Sequence, residues 1–162
     1  MPHQSHSPAD QFLAVENLLT AWLSERRSVL ARYTALVVVS DDIDGSAAIS
    51  RRQRELCELL VDYVSAGHFE VYKELLNEAE AFGDGGTSLA TALIPEIADT
   101  TDVILAYEEK YGSGTPYPET LLRDLSALGE LLESRFVLED RLIAGLHTNH
   151  RRQLQTAPEG TN

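Results

Sequence analysis

The sequence predicts an all-α protein, a single antiparallel bundle of four long helices. Three observations carry that prediction. Apolar residues recur at three- and four-residue spacing along four long runs, as in helices that each turn one stripe to a core. The breaks between the runs, SDDIDGS (40–46), GDGGTS (83–88) and GSGTPYP (112–118), are short and rich in turn-forming residues, which makes successive helices antiparallel neighbours. A chain of 162 residues without internal repeat or low-complexity segment suits one domain, able to bury roughly two-thirds or more of its unfolded surface.

Residues 1–8 carry His, Ser and Pro with little to bury and read as a disordered lead-in to a bundle over 9–150. The first helix, about 10–39, is written in Phe12, Val15, Leu19, Trp22, Val29, Tyr33 and Leu36. The β-branched run Val37 to Val39 would suit a strand, but it ends a long helical pattern. The second helix, about 47–82 with Ser46 as candidate cap, has the core stripe Leu56, Leu60, Tyr63, Gly67, Val71 and Leu75. Gly67 costs such a helix about 1 kcal/mol relative to Ala, so it is expected to serve close helix packing. Gly83 ends this helix and Thr87 or Ser88 is expected to cap the next, about 89–111, on Leu93, Ile97, Thr101, Ile104 and Leu105. Pro95 should kink it or split off its first turn. The fourth helix is expected over 118–150, with Pro118 first and Leu121, Leu125, Leu128, Leu132, Phe136, Ile143 and Leu146 inside; residues 151–162 read as a flexible tail.

The second helix is unusual in being apolar on two sides. Opposite its core stripe runs Asp62, Ser65, Phe69, Tyr72 and Leu76. Two readings stand: a docking face, or a second face covered by a neighbouring segment of the same chain.

Two stripes are interrupted by charge. Arg26 falls in the middle of the first-helix stripe, and Glu139 fills a slot between Phe136 and Ile143. An internal Arg26–Glu139 ion pair is expected, its hydrogen bonds completed by His68 or Tyr63. A local pair between Glu139 and Arg135, one turn earlier, is the simpler alternative.

The formal charge is −13, and between Asp84 and Asp140 the only bases are Lys110, Arg123 and Arg135. Such a surface repels phosphate backbones, which argues against direct contact with nucleic acid or anionic membrane. It suits a basic protein partner, and it serves solubility equally well. The lone Cys57 allows no internal disulfide and reads as a core thiol in a reducing compartment. MPHQSHSPADQ has no Lys, Arg or apolar run, so neither a signal peptide nor a membrane span is expected, and the location predicted is cytoplasmic.

Chemistry finds little footing. Glu-x-x-His pairs of di-iron bundles are missing, since Ser65 precedes His68 and Ala144 precedes His147 at that spacing; Tyr72 and Arg151 break the four-residue alternative. Asp62, Ser65 and His68 superficially offer a triad, but Ser65 and His68 are turned about 60° apart on a helix that holds no oxyanion nest. Glu139 and Asp140 are adjacent and point apart. GDGGTS lacks the Lys and the preceding strand of a phosphate loop. The basic tracts at Arg26–Arg27 and Arg51–Arg54 read as solvated helix faces. No enzyme activity, metal or cofactor is expected.

The segments LVDYVSAGHF (60–69) and SRFVLEDRLI (134–143), with AWLSERRSVLARYTALV (21–37) ahead of them, resemble the Rsd/AlgQ family of bacterial anti-sigma factors, in matching order over most of the chain. The resemblance implies a helical bundle that binds the basic C-terminal DNA-binding region of the housekeeping sigma factor, one to one, and keeps it from core polymerase and the −35 element. The family's central motif falls on Asp62, Tyr63, Ser65, Ala66, Gly67, His68 and Phe69, its last-helix motif on Arg135, Phe136, Glu139 and Asp140, and its first-helix motif on Trp22 and Leu23. Thr20-Ala21 departs from the acidic-then-basic pair the family shows there. The expected partner face is Asp62, Ser65, Phe69, Tyr72 and Leu76 with Trp22, and the expected polar core is Arg26, His68 and Glu139. An adaptor or regulator that uses the same face on a metabolic or signalling enzyme is the alternative.

Overall fold

The computed structural model describes residues 7–40 and 46–156. The lead-in over 1–6, most of the first loop, the Ser46 cap and the end of the tail lie outside the described residues. The first helix, α1, spans Pro8–Ser40. It begins earlier than the apolar pattern alone shows, because Ser7 accepts the Asp10 N–H on its hydroxyl and Pro8 takes the first helical position. A second rod follows as α2 (Ser46–Ala66), a stretch of π-helix (Gly67–Val71) and α3 (Tyr72–Phe82). Gly83, at φ 62°, closes α3 and returns its N–H to the Ala79 carbonyl.

Helix α4 spans Gly86–Tyr111 and α5 spans Leu121–Ile143. Neither Thr87 nor Ser88 caps α4; the Asp84 carboxylate takes the Gly86 N–H at 3.1 Å instead. The helix runs on through Pro95 rather than splitting off its first turn. Pro118 stands before α5, in a turn where the Tyr117 carbonyl accepts the N–H groups of Thr120 and Leu121. A second π-turn, Ala144–Thr148, leads into α6 (Asn149–Thr156), so helix continues past the expected end near residue 150.

These are four rods, α1, α2–α3, α4 and α5–α6, without strand among the described residues. The second rod packs on α1 along its length, α4 packs on α2 and α5, and α5 returns to α1. The stripe residues Val15, Leu19, Trp22, Val29 and Leu36 meet Leu56, Leu60, Tyr63, Leu75, Ile97, Ile104, Leu125, Leu128 and Leu132 in one core. Cys57 is free and buried there, and burial pushes its thiol up to about 12. No helix among the described residues is long and apolar enough to cross a membrane.

At Gly67 the second rod packs tightly on Trp22 of α1. A Cβ built there would meet Tyr72 Oη at 3.1 Å and Trp22 Cζ2 at 3.3 Å. The π-turn that starts at this glycine closes i→i+5 rather than i→i+4 and so holds more backbone per turn. Residues beyond it lag behind the phase that a 3.6-residue count assigns.

Candidate functional site

That phase lag decides what lies outside and what lies inside on the second rod. Asp62 and Phe69 face solvent, Phe69 with 79% of its surface exposed, and Ser65 and Leu76 are half-buried beside them. Tyr72, counted onto the same outer stripe at 100° per residue, is 3% exposed and belongs to the core. Trp22, expected to flank the partner face, is 2% exposed; its indole N–H donates to the Tyr63 carbonyl at 3.2 Å. It stacks on Tyr63 at 5.0 Å between centroids and meets Tyr72 edge-on at 5.9 Å. Neither aromatic is exposed beside Phe69; both are packed in the core under this face.

Beneath that floor is a buried polar group. Arg135 and Glu139, one turn apart on α5, both have fully buried side chains, with Arg135 Nε 3.0 Å from Glu139 Oε2. Arg135 also donates to Thr101 Oγ1 at 2.7 Å, Thr100 Oγ1 at 3.1 Å and Tyr72 Oη at 3.0 Å. Glu139 accepts from the hydroxyls of Tyr63 and Tyr72. Burial first, then the neighbouring carboxylate, pushes both tyrosine hydroxyls up, so each stays a donor. Burial also pushes the Glu139 carboxyl up, opposed by Arg135, Tyr63 and Arg26.

The expected Arg26–Glu139 pair is present, but it is the outer of two contacts to Glu139. Arg26 reaches Glu139 at 3.5 Å but binds Asp140 at 2.8 Å, and it lies over the Phe136 ring at the bundle edge. The buried cation is Arg135, the residue read as a local partner, because a carboxylate without solvent needs its positive charge equally deep. Phe136 takes the half-buried place beside it, edge-on to Tyr63 at 6.2 Å. His68 does not reach Glu139; its Nε2 lies 2.9 Å from Thr101 Oγ1. Burial and then Arg135 push the imidazole down, against the pull of Asp102, which favours a neutral ring whose tautomer sets whether Nε2 donates to or accepts from Thr101. A chain of contacts, Glu139 to Arg135 to Thr101 to His68, therefore runs from the core to the residue next to Phe69.

The outer face is acidic and unneutralised. Burial first, then Asp62 and Glu70, push the Glu25 carboxyl of α1 up, which places these three carboxylates in one field. Among the described residues none of Glu25, Asp62, Glu70 or Asp102 makes an ion pair. A groove of about 430 Å³ continues from Asp62 between α2 and α4, lined by Cys57, Glu58, Val61, Glu108 and Gly112. An exposed phenyl ring amid uncompensated carboxylates can receive a surface that is both cationic and apolar.

A second buried polar group escaped the sequence reading. Glu78 of α3, fully buried, faces His147 and His150 at the start of the last helix. The signal was available: Glu78 follows Leu75 by three residues and so continues the same stripe, as Glu139 does on α5.

Comparison with known proteins follows the two runs quoted from the sequence. Residues 1–147 match the family described as "Regulator of RNA polymerase sigma(70) subunit, Rsd/AlgQ". A protein of Shigella boydii serotype 4 named "Regulator of sigma D" is 31% identical over 147 residues, covering 88% of this chain and 92% of the relative. Relatives of the same name from Escherichia coli O1:K1 / APEC (31%, the same coverage) and Yersinia pseudotuberculosis serotype O:1b (30% over 134 residues, 78% of this chain and 77% of the relative) are similar to a comparable degree. No solved structure matches. The runs at 60–69 and 134–143 are the two halves of one assembly, since Tyr63, Arg135, Phe136 and Glu139 meet in the core.

Proposed function

The chain belongs to the Rsd/AlgQ family of regulators of the RNA polymerase sigma(70) subunit, and from that membership we propose that it is an anti-sigma factor acting in the cytoplasm. Its partner is the C-terminal DNA-binding region of the housekeeping sigma factor, region 4, bound one to one and so withheld from core polymerase and the −35 element. The observation that carries this reading is Phe69, 79% exposed on the π-turn between His68 and Glu70, where Glu70 and Asp62 share one field with Glu25 of α1 and none of the three carboxylates is ion-paired among the described residues. A DNA-binding module is basic where it meets phosphates, and the same charges suit this face. Phe69 supplies the apolar anchor, with Ser65 and Leu76 beside it, and Asp62 receives a basic side chain. Trp22, Tyr72 and the Arg135–Glu139 pair hold the face rigid from below. The regulation is then by occupancy of the sigma region.

Calorimetric titration with isolated region 4 at low and high salt tests it. The expected result is one-to-one binding that weakens as salt rises, because charge steers it. Absence of binding by the folded protein at low salt would overturn the assignment of the partner.

A further inference from the structure

The second buried polar group lies at the end of the bundle remote from the Arg135–Glu139 pair in the network of contacts, and partner recognition makes no use of it. It joins three elements. From α5–α6 come His147, His150 and Arg151; from α3 comes Glu78, and from the turn after it Asp84; from α1 comes Glu16. From α4, Leu89 packs on Gly145 of the π-turn that carries His147, and no salt bridge joins α4 to the group among the described residues.

His147 is the centre of the arrangement. Its Nδ1 lies 2.8 Å from Glu78 Oε2, and its Nε2 is in contact with Glu16 Oε2. Its ring stacks on Phe12 of α1 at 4.1 Å and 7°. Glu16 in turn binds Arg151 Nη2 through both oxygens, at 2.8 and 2.6 Å. His150 repeats the pattern more loosely. Its Nδ1 contacts the other Glu78 oxygen, its Nε2 lies 3.0 Å from Asp84 Oδ2 off hydrogen-bond geometry, and its ring stacks on Phe82 at 4.1 Å. No set of three or more such side chains among the described residues converges as metal ligands.

A carboxylate accepts and cannot donate, so an imidazole with a carboxylate at each nitrogen needs a proton on both. Neutral His147 could keep Nδ1–H on Glu78, but its Nε2 lone pair would then face the Glu16 oxygen without a proton between them. Loss of one proton turns an attraction into a repulsion at the junction of α1 and α6.

We propose that His147 is the pin of a proton-operated clamp: protonated on both nitrogens it ties Glu78 of α3 to Glu16 of α1 and fastens the last helix across both. Deprotonation at Nε2 removes one of the two links to Glu16, leaving it on Arg151 alone, and so loosens α6 on α1. The burial and charge around the ring bear the proposal out in direction. Burial opposes the charged ring, but Glu78 and Glu16 outweigh it and push His147 up, while the bond to His147 pulls Glu16 down.

Hydrogen exchange of the full chain from about pH 6 to about pH 9, corrected for the intrinsic rise in exchange rate, reads the clamp directly. Protection of residues 149–156 should fall by about tenfold or more with rising pH, while that of Ile97–Ile104 in α4 holds. In Glu16→Gln the amide can accept from protonated His147 and donate to the neutral ring, so the fall should shrink to less than about threefold. Pulsed exchange needs no partner, so the result is independent of sigma binding. A wild-type α6 whose protection ignores pH, or a Glu16→Gln chain with an undiminished fall, would overturn the proposal.

Discussion

Arg135 and Glu139 stand one turn apart on α5, 3.0 Å from each other, with no part of either side chain exposed. An exposed pair at that spacing contributes a few tenths of a kcal/mol, but here removal of the cation leaves a fully buried carboxylate with only the Tyr63 and Tyr72 hydroxyls and Arg26 at 3.5 Å. Arg135→Met should therefore cost about 3–5 kcal/mol in urea unfolding. Arg26→Ala, which mainly frees the exposed Asp140, should cost about 1 kcal/mol or less. The reverse order would restore Arg26 as the structural partner.

Phe69→Ala separates the face from its support. The ring is exposed, so unfolding should change by less than about 0.5 kcal/mol. Affinity for sigma region 4 should fall by about tenfold or more if the ring is an anchor. Tyr72→Phe, beneath the face, should do the opposite: it deletes a donor to Glu139 and an acceptor from Arg135, and costs about 1–3 kcal/mol of stability.

How much of this was legible in the sequence follows from which rule each residue obeys. Stripes at helical spacing placed Val15, Leu56, Leu60, Ile97 and Leu125 in the core because apolar burial has no direction and needs only the right face. Glu139 announced itself as a charge in such a stripe. Both of its cations were read, Arg26 across the bundle and Arg135 one turn before, but not which lies deeper, since Arg135 and Phe136 are adjacent and either could have turned inward; the demand of a buried carboxylate for a cation chose Arg135. Tyr72 was misplaced because a π-turn has no signature in apolar spacing, and the residue directly after this one is turned inward. Glu78 was legible by the logic that found Glu139. The histidines it meets were not, since they come from the other end of the chain.

Gly67→Ala probes the contact that accompanies the π-turn. Alanine would gain about 1 kcal/mol of intrinsic helix propensity. Its Cβ would fall 3.1 Å from Tyr72 Oη and 3.3 Å from Trp22 Cζ2, and both rings are buried and fixed by hydrogen bonds. Neither can give way freely, so a net loss of about 1–3 kcal/mol is expected, measured as a lowered Tm. A neutral or stabilised variant would mean that the rods can part at this point.

Stability should pass through a maximum in mildly acidic solution, and the sign of each contribution says why. His147 is pushed up in the folded chain from its ordinary 6.5, so what it contributes is fully present below 6.5 and is lost as pH rises through the higher folded value. Glu16 is pulled down from its ordinary 4.5, so its contribution is present above 4.5 and is lost as pH falls through the lower folded value. Both are whole between 4.5 and 6.5. Thermal unfolding followed to pH values above that range should show Tm falling on the alkaline side, and His147→Gln should flatten that limb while lowering its top, because both N–H donors of glutamine sit on one nitrogen and cannot reach Glu78 and Glu16 on opposite sides. An alkaline limb unchanged by the substitution would assign the loss to other groups.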